Sequence, residues 1–282
     1  MAIQIMGRLI RTRRPTRPLR GAPVGGSYRQ AHALYQELVR LVTPATEDVR
    51  ELAAWLATNP DASEAYAALM SRKDKWRRVL GPSASALAYR WTRAVSDRDK
   101  IKLQDSLAKA LGVEVVSIFD EPAVQGVEDM MRTQAIPLIS SISDVYYDKV
   151  LEATMRSYQQ LPLPENRNLV QEIQELTKIT FERAKLIAVD QTQKMHGMVT
   201  QSRQTALGIE EYVWRTSKDQ RVVGNPNGLY PNPTKLHGNH YIRNGKIYRW
   251  DSPPSDGHPG WPIRCRCMAS PVIDYRKLKL VA

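Results

Sequence analysis

An α+β fold is predicted, with a long, mostly helical N-terminal part followed by a small, antiparallel, loop-rich C-terminal domain. Two observations predict it. Across residues 27–208, apolar side chains recur at helical spacing between capping residues. At Gly208 the texture changes, and residues 209–282 hold six Gly, eight Pro and three Trp. Charge follows a similar division. Residues 1–26 carry six Arg and no acid, residues 27–208 balance 23 basic against 23 acidic side chains, and residues 209–282 hold 12 basic against 6 acidic. The net charge of +12 therefore resides at the two ends. Such local basic regions suit nucleic acid or an acidic protein surface.

Residues 1–26 read as an extended basic arm, ordered on a partner. Pro and Gly are frequent there, and each disfavours regular structure. Arg8, Arg11, Arg13, Arg14, Arg17 and Arg20 are its candidate contacts to a neighbouring subunit or to DNA phosphates. The alternative is a solvated tail.

Residues 27–208 form the predicted helical domain. In "YRQAHALYQELVRLV", Leu34, Leu38 and Leu41 share a face. "TPATEDVRELAAWLA" has Thr43 as N-cap and Pro44 at the first helical position, so a new helix is expected there. The helix beginning near Asp61 is expected to stop at Gly81-Pro82. Another runs from about Ser83 to Leu111 and ends at Gly112. "GVEVVSIFDEPA" is a short strand or a connector. The helix that follows is kinked or broken by Pro137, and "LPLPEN" is a turn. A final helix spans about Arg167 to Ala206, with Leu169, Ile173, Leu176, Ala184 and Ile187 near a 3.6 period and Met195 and Met198 extending the stripe. His32 and His196 read as ordinary helix residues.

Residues 209–282 form the predicted small domain. "EEYVWRTS" alternates as a strand, with Tyr212 and Trp214 on one side. "NHYIRNGKIYRW" reads as a hairpin around Asn244-Gly245, and "CMASPVIDY" as a third strand. Trp214, Trp250 and Trp261 are its candidate core.

Both cysteines of the chain, Cys265 and Cys267, are separated by one residue. A disulfide across that spacing is strained. Two readings stay open. One is a structural zinc, with His237 and His258 completing the two thiolates and stapling a domain poor in large apolar residues. The other is a pair of inward-facing strand residues, with Arg264 and Arg266 outward. Two cysteines make no disulfide framework, so a reducing cytoplasm is expected. No apolar run approaches the ~18 residues of a membrane span, and no secretory signal is recognised at the N-terminus.

Taken together, "VWRTSKDQRV", "LHGNHYIRNGKIYRWDSPP" and "HPGWPIRCRCMASPVI" resemble the phage Mu F-like, or phage head morphogenesis, family of minor head proteins. The matching positions are Trp214, Thr216, Asp219, Arg221, His237, Gly245, Pro259, Gly260, Cys265, Arg266 and Cys267. The preceding "AKLIAVDQTQKMHG" is similar to the family's entry helix, with Asp190 and Gln191 where Thr and Glu are usual. The match covers residues 180–273. The resemblance implies a low-copy structural virion protein, associated with the portal and the inner capsid and needed for head assembly. Its partners would be the portal protein, the major capsid or scaffolding protein, and packaged DNA through the basic arm. It would reside in the virion, and in the host cytoplasm during assembly. It implies no catalytic residues. A sequence-independent DNA-binding virion protein, contacting or ejected with packaged DNA, is the alternative. A metal-dependent hydrolase is a further one, but the chain lacks His-Glu-x-x-His, a Gly-rich phosphate loop and Gly-x-Ser-x-Gly. The expectation is therefore a non-enzymatic protein without a membrane partner.

Overall fold

The computed structural model describes residues 3–6, 17–112, 114–118, 122–234 and 236–281. The fold is α+β, as expected. Four long helices, α1 (Tyr28–Thr58), α2 (Ala62–Leu111), α3 (Pro122–Tyr158) and α4 (Leu169–Ala206), precede a small antiparallel sheet. No helix among the described residues is long and apolar enough to cross a membrane.

Local chemistry sets the helix starts. Asp61 Oδ1 accepts the backbone N–H groups of Ser63 (2.8 Å) and Glu64 (3.1 Å) and opens α2. Asn168 and Gln171 cap each other's backbone N–H reciprocally at the head of α4. Pro44 and Pro82 behave differently from the sequence expectation, which placed helix boundaries at them. Pro44, Pro82 and Pro137 all lie inside continuous helices, so no break occurs at any of them. Each removes one backbone donor, but burial on both sides of the site outweighs the loss. Val42, Ala45, Thr46 and Val49 are buried around Pro44, and Leu80 and Ala84 around Pro82. Thr43 is not a cap, since its hydroxyl donates back to Val39 O at 2.8 Å within the helix. Gly112, at φ +68°, ends α2 as expected.

The chain divides into two units, and the division is nested rather than a single boundary near Gly208. One unit comprises Ala31–Trp91 and Arg132–Val189. Its core joins Val49, Leu56, Leu69, Tyr146, Val150 and Ile173. Tyr147 Oη donates to Ala45 O, and Trp76 Nε1 to Asp48 Oδ2.

The other unit comprises Met1–Gln30, Thr92–Met131 and Asp190–Ala282. A three-stranded sheet has the order β3-β1-β7, with β1 (Ile3–Met6) antiparallel to β3 (Glu114–Ile118) and parallel to β7 (Leu280–Val281). A four-stranded antiparallel sheet has the order β2-β6-β4-β5, from β2 (Leu19–Arg20), β6 (Met268–Ile273), β4 (Glu211–Arg215) and β5 (Ile247–Arg249). Strands at 211–215 and 268–273 match the sequence expectation, but the hairpin does not. His240–Arg243 is a short helix, α5, and β5 pairs with β4 instead of with residues 239–243.

The arm is also revised. Leu19 and Arg20 pair with Ile273 and Val272, and Val24 is fully buried and bridges Ala269. This part of the arm is ordered on its own chain, because a free edge of β6 and an apolar pocket beside Leu103, Leu107 and Ile273 accept it. Arg17 and Arg20 stay exposed, while Arg8, Arg11, Arg13 and Arg14 lie outside the described residues.

The C-terminal half of α4 is buried but polar. Arg203 and Asp99 are both fully buried and paired at 3.0 Å. Arg203 also donates to Ser96 O (2.7 Å) and Ser96 Oγ (2.8 Å), and Asp99 accepts from Thr200 Oγ1. His196 sits beside them, with Nε2 on Gln30 Oε1 at 2.8 Å and Nδ1 3.8 Å from Asp99. Burial works against the Asp99 charge, but His196, Arg203 and Thr200 outweigh it and hold the carboxyl below its usual range. Burial pushes His196 down, against Asp99.

Arg203→Met strands the Asp99 carboxylate, and loss of one partner of a buried pair costs about 3–5 kcal/mol, read as a lower urea midpoint. The pH dependence has a definite sign. Asp99 has a lowered folded pKa, so its contribution is present above its unfolded value and lost as pH falls through the folded one. His196 is also lowered, so stability falls as pH drops below its unfolded value of 6.5. Relative to His196→Gln, the wild-type thermal midpoint is expected to decrease on acidification below about pH 6.5.

Candidate functional site

β4 lies between β5 and β6, so its inward residues Tyr212 and Trp214 are fully buried. They pack with Trp250, Cys265, Cys267 and Ala269. Tyr212 and Trp250 rings approach to 4.2 Å, and the Trp214 and His240 rings meet edge-on at 5.2 Å. Trp261 is half-buried against His258.

Three short devices bring polar groups to this aromatic wall. Asn239 Oδ1 accepts the N–H of Ile242 at 3.1 Å and starts α5, which places His240 and Arg243 on one side. Asp256 then receives both of them, His240 Nε2 at 2.8 Å and Arg243 Nη1 at 2.6 Å, together with the Gly238 N–H at 2.7 Å. Finally, the segment before β6 turns tightly. The Cys265 N–H donates to Pro262 O at 2.9 Å, Arg264 adopts φ +57°, and its N–H donates to Asp190 Oδ1 at 3.1 Å.

The outcome is a buried cluster. Cys265 Sγ and Cys267 Sγ lie 3.7 and 3.6 Å from His240 Nδ1, and all three ligand atoms fall within 4.8 Å of one another. The Gly260 N–H points at Cys265 Sγ at 3.4 Å. The cysteines share a side, as strand alternation predicts, but they lie between the turn at Ile263–Arg264 and the start of β6. One wall of a cavity of about 220 Å³ is formed by the three residues, with Arg221, Tyr230 and His237 among the others around it.

Electrostatics polarise the cluster. Burial opposes ionisation of Cys265, but hydrogen bonds from Cys267 and His240 and the His240 charge bring its thiol well below the ordinary range. Cys267 moves the other way, raised by its bond to Cys265 and by burial. Burial also disfavours a charged His240, yet Cys265 and Asp256 outweigh it and raise its pKa.

The two histidines expected beside the cysteines are not in the cluster. His258 is buried with both ring nitrogens engaged, Nδ1 with Tyr212 Oη at 2.9 Å and Nε2 with Trp250 O at 3.1 Å. Burial lowers its pKa, and it serves as a core strut. His237 is half-buried at the cavity wall. His240 takes the position instead. Reading residues 239–250 as a hairpin hid it; the signal present was Asn239 as an N-cap, with His240 and Arg243 one turn apart.

The other motif residues hold the unit together. Arg266 donates both terminal nitrogens to the Asp219 carboxylate, with Nη2 to Oδ1 at 2.6 Å. That bond holds the Asp219 carboxyl below its usual range. Arg221 donates its backbone N–H to Asp219 Oδ1 at 2.9 Å and keeps its side chain exposed. Gly260 is in the left-handed region at φ +89°, and a Cβ there would lie 2.7 Å from Gln193 O on α4.

Comparison with known proteins adds one relative. An uncharacterized protein of Haemophilus influenzae is 36% identical over 140 residues, which are 49% of this chain and 28% of the relative. The chain thus matches less than a third of that protein's length. No family model matches the chain. No solved structure matches it.

Gly260→Ala should destabilise this unit by about 1–3 kcal/mol, the cost of a strained backbone, with the steric clash against Gln193 O adding to it. Thermal denaturation followed by Trp fluorescence reads the loss. Gly245→Ala, with positive φ and open space around the Cβ, should cost less.

Proposed function

We propose that the chain is a structural, low-copy minor head protein of a phage, acting with the portal and the inner capsid during head assembly. The observation that carries this reading is the two-pronged Asp219–Arg266 ion pair. It ties the Asp-x-Arg-Val segment to the Cys-Arg-Cys segment, 47 residues apart. The two most distinctive pieces of the family pattern thus meet as one clamp. Trp214 and both cysteines share one buried cluster, and the Gly260 N–H points at Cys265 Sγ. The Asp219–Arg266 contact supports reading the pattern as a fold signature, and in this reading the role is structural. In this reading the portal protein and the major capsid or scaffolding protein are the partners. The basic arm, with Arg17 and Arg20 exposed, faces a neighbouring subunit or packaged DNA, to which it binds through phosphate contacts.

The test is made on particles from the phage or prophage that encodes the chain. Proheads and DNA-filled heads are purified, and the chain is quantified by mass spectrometry against the major capsid protein. A few copies per particle are expected, and an in-frame deletion should reduce the yield of filled heads. Absence from both particle types, with normal heads from the deletion, overturns the reading.

A further inference from the structure

We infer that His240, Cys265 and Cys267 form a zinc site whose fourth position opens into the adjoining cavity and takes an anionic oxygen donor. The inference is independent of the head-assembly reading.

Geometry is the first support. A tetrahedral zinc with metal–sulfur bonds of about 2.3 Å and a metal–nitrogen bond of about 2.0–2.1 Å sets sulfur–nitrogen edges of about 3.6 Å. The two sulfur–nitrogen separations here are 3.7 and 3.6 Å. Two of the three donor–donor edges thus already match that tetrahedron, and the two sulfurs lie within 4.8 Å of each other.

The surroundings of the donors are the second. A metal-bound histidine characteristically gives its other ring nitrogen to a carboxylate, which fixes the ring and its tautomer. His240 Nε2 is held by Asp256, leaving Nδ1 toward the sulfurs. Asp256 is in turn fixed by Arg243 and the Gly238 N–H. The Gly260 N–H points at Cys265 Sγ. Trp214 Nε1 is buried without a hydrogen-bond partner and bears on Cys267. A metal-bound thiolate is a stronger acceptor for that N–H than a thiol.

The fourth corner distinguishes this site from a closed structural one. No other His, Cys, Asp or Glu among the described residues joins the cluster. The three ligands instead line the cavity, together with Arg221, Arg264 and Arg266. Two thiolates neutralise the ion and Asp219 neutralises Arg266, so Arg221 and Arg264 set the sign of the cavity. A carboxylate or phosphate oxygen fits both the metal and that charge.

The experiment uses the full chain, purified under reducing conditions with zinc supplied and then passed through gel filtration. One zinc per chain is expected by elemental analysis. Cobalt replacing zinc should give a thiolate-to-cobalt charge-transfer absorption. Inorganic phosphate or acetate should shift the visible cobalt bands, reporting an exchangeable fourth position. Asp256→Asn should weaken zinc binding by about 10–100-fold, the usual effect of a lost carboxylate partner, measured by chelator competition. Cys265→Ser and His240→Gln should lose the metal, while His237→Ala keeps it and its spectrum. Since a ligand variant could fail to fold, the wild-type chain is the deciding sample. No retained zinc and no charge-transfer band overturn the site. Cobalt bands unmoved by both anions, or altered in His237→Ala, overturn the open position.

Discussion

The unit carrying the site depends on a buried polar helix. Residues 190–206 of α4 present Gln191, Thr192, Gln193, His196, Thr200, Arg203 and Gln204 to the interior. An arginine with no exposure is tolerable only when paired and fully hydrogen-bonded. Asp99 and Ser96 of α2 supply those partners. The arrangement fixes α4 against α2 in one register, because a shift by one residue would leave two buried charges alone. Other segments then hang from the same helix. Asp190 takes the Arg264 N–H, Gln204 Oε1 takes the Trp250 indole, and Gly197 and Gln193 admit the chain at Pro259 and Gly260. Apolar packing alone would not position these loops, since it is non-directional.

The second layer is aromatic. Tyr212 and Trp214 leave β4 toward a cluster of Trp250, Tyr248, His240 and His258. This wall covers one side of the buried cysteines, and burial strengthens the charge interactions between them and His240. The opposite shifts of Cys265 and Cys267 follow from that, since two adjacent thiols in a low dielectric cannot both ionise readily. Arg243 stacks over Trp214 at 4.9 Å while holding Asp256, so one side chain braces both the aromatic wall and the carboxylate behind His240.

Parts of this were legible in residue order. The Asp61 and Gly112 helix boundaries rest on local chemistry, which acts within a few residues and survives any tertiary context. Strand β4 was legible because alternation of Tyr212 and Trp214 has period two. Pro44 and Pro82 misled as helix boundaries for the same reason that capping succeeds: their local penalty is real, but burial on either side exceeds it. The hairpin at Asn244-Gly245 failed because β4, far upstream, competes for β5 and wins the pairing.

The residue order by itself determined the α+β class, the helical texture before Gly208, and the pairing of two cysteines on one side of the chain. These follow from periodicity and spacing, which are properties of neighbouring residues. Only the tertiary structure decided that His240, and neither His237 nor His258, faces the sulfurs. It also decided that residues 19–24 belong to the sheet and that Asp219 reaches Arg266. Each of these contacts joins residues tens of positions apart or more. Their partners are chosen by what the packed helices and strands leave within reach, which no local pattern encodes.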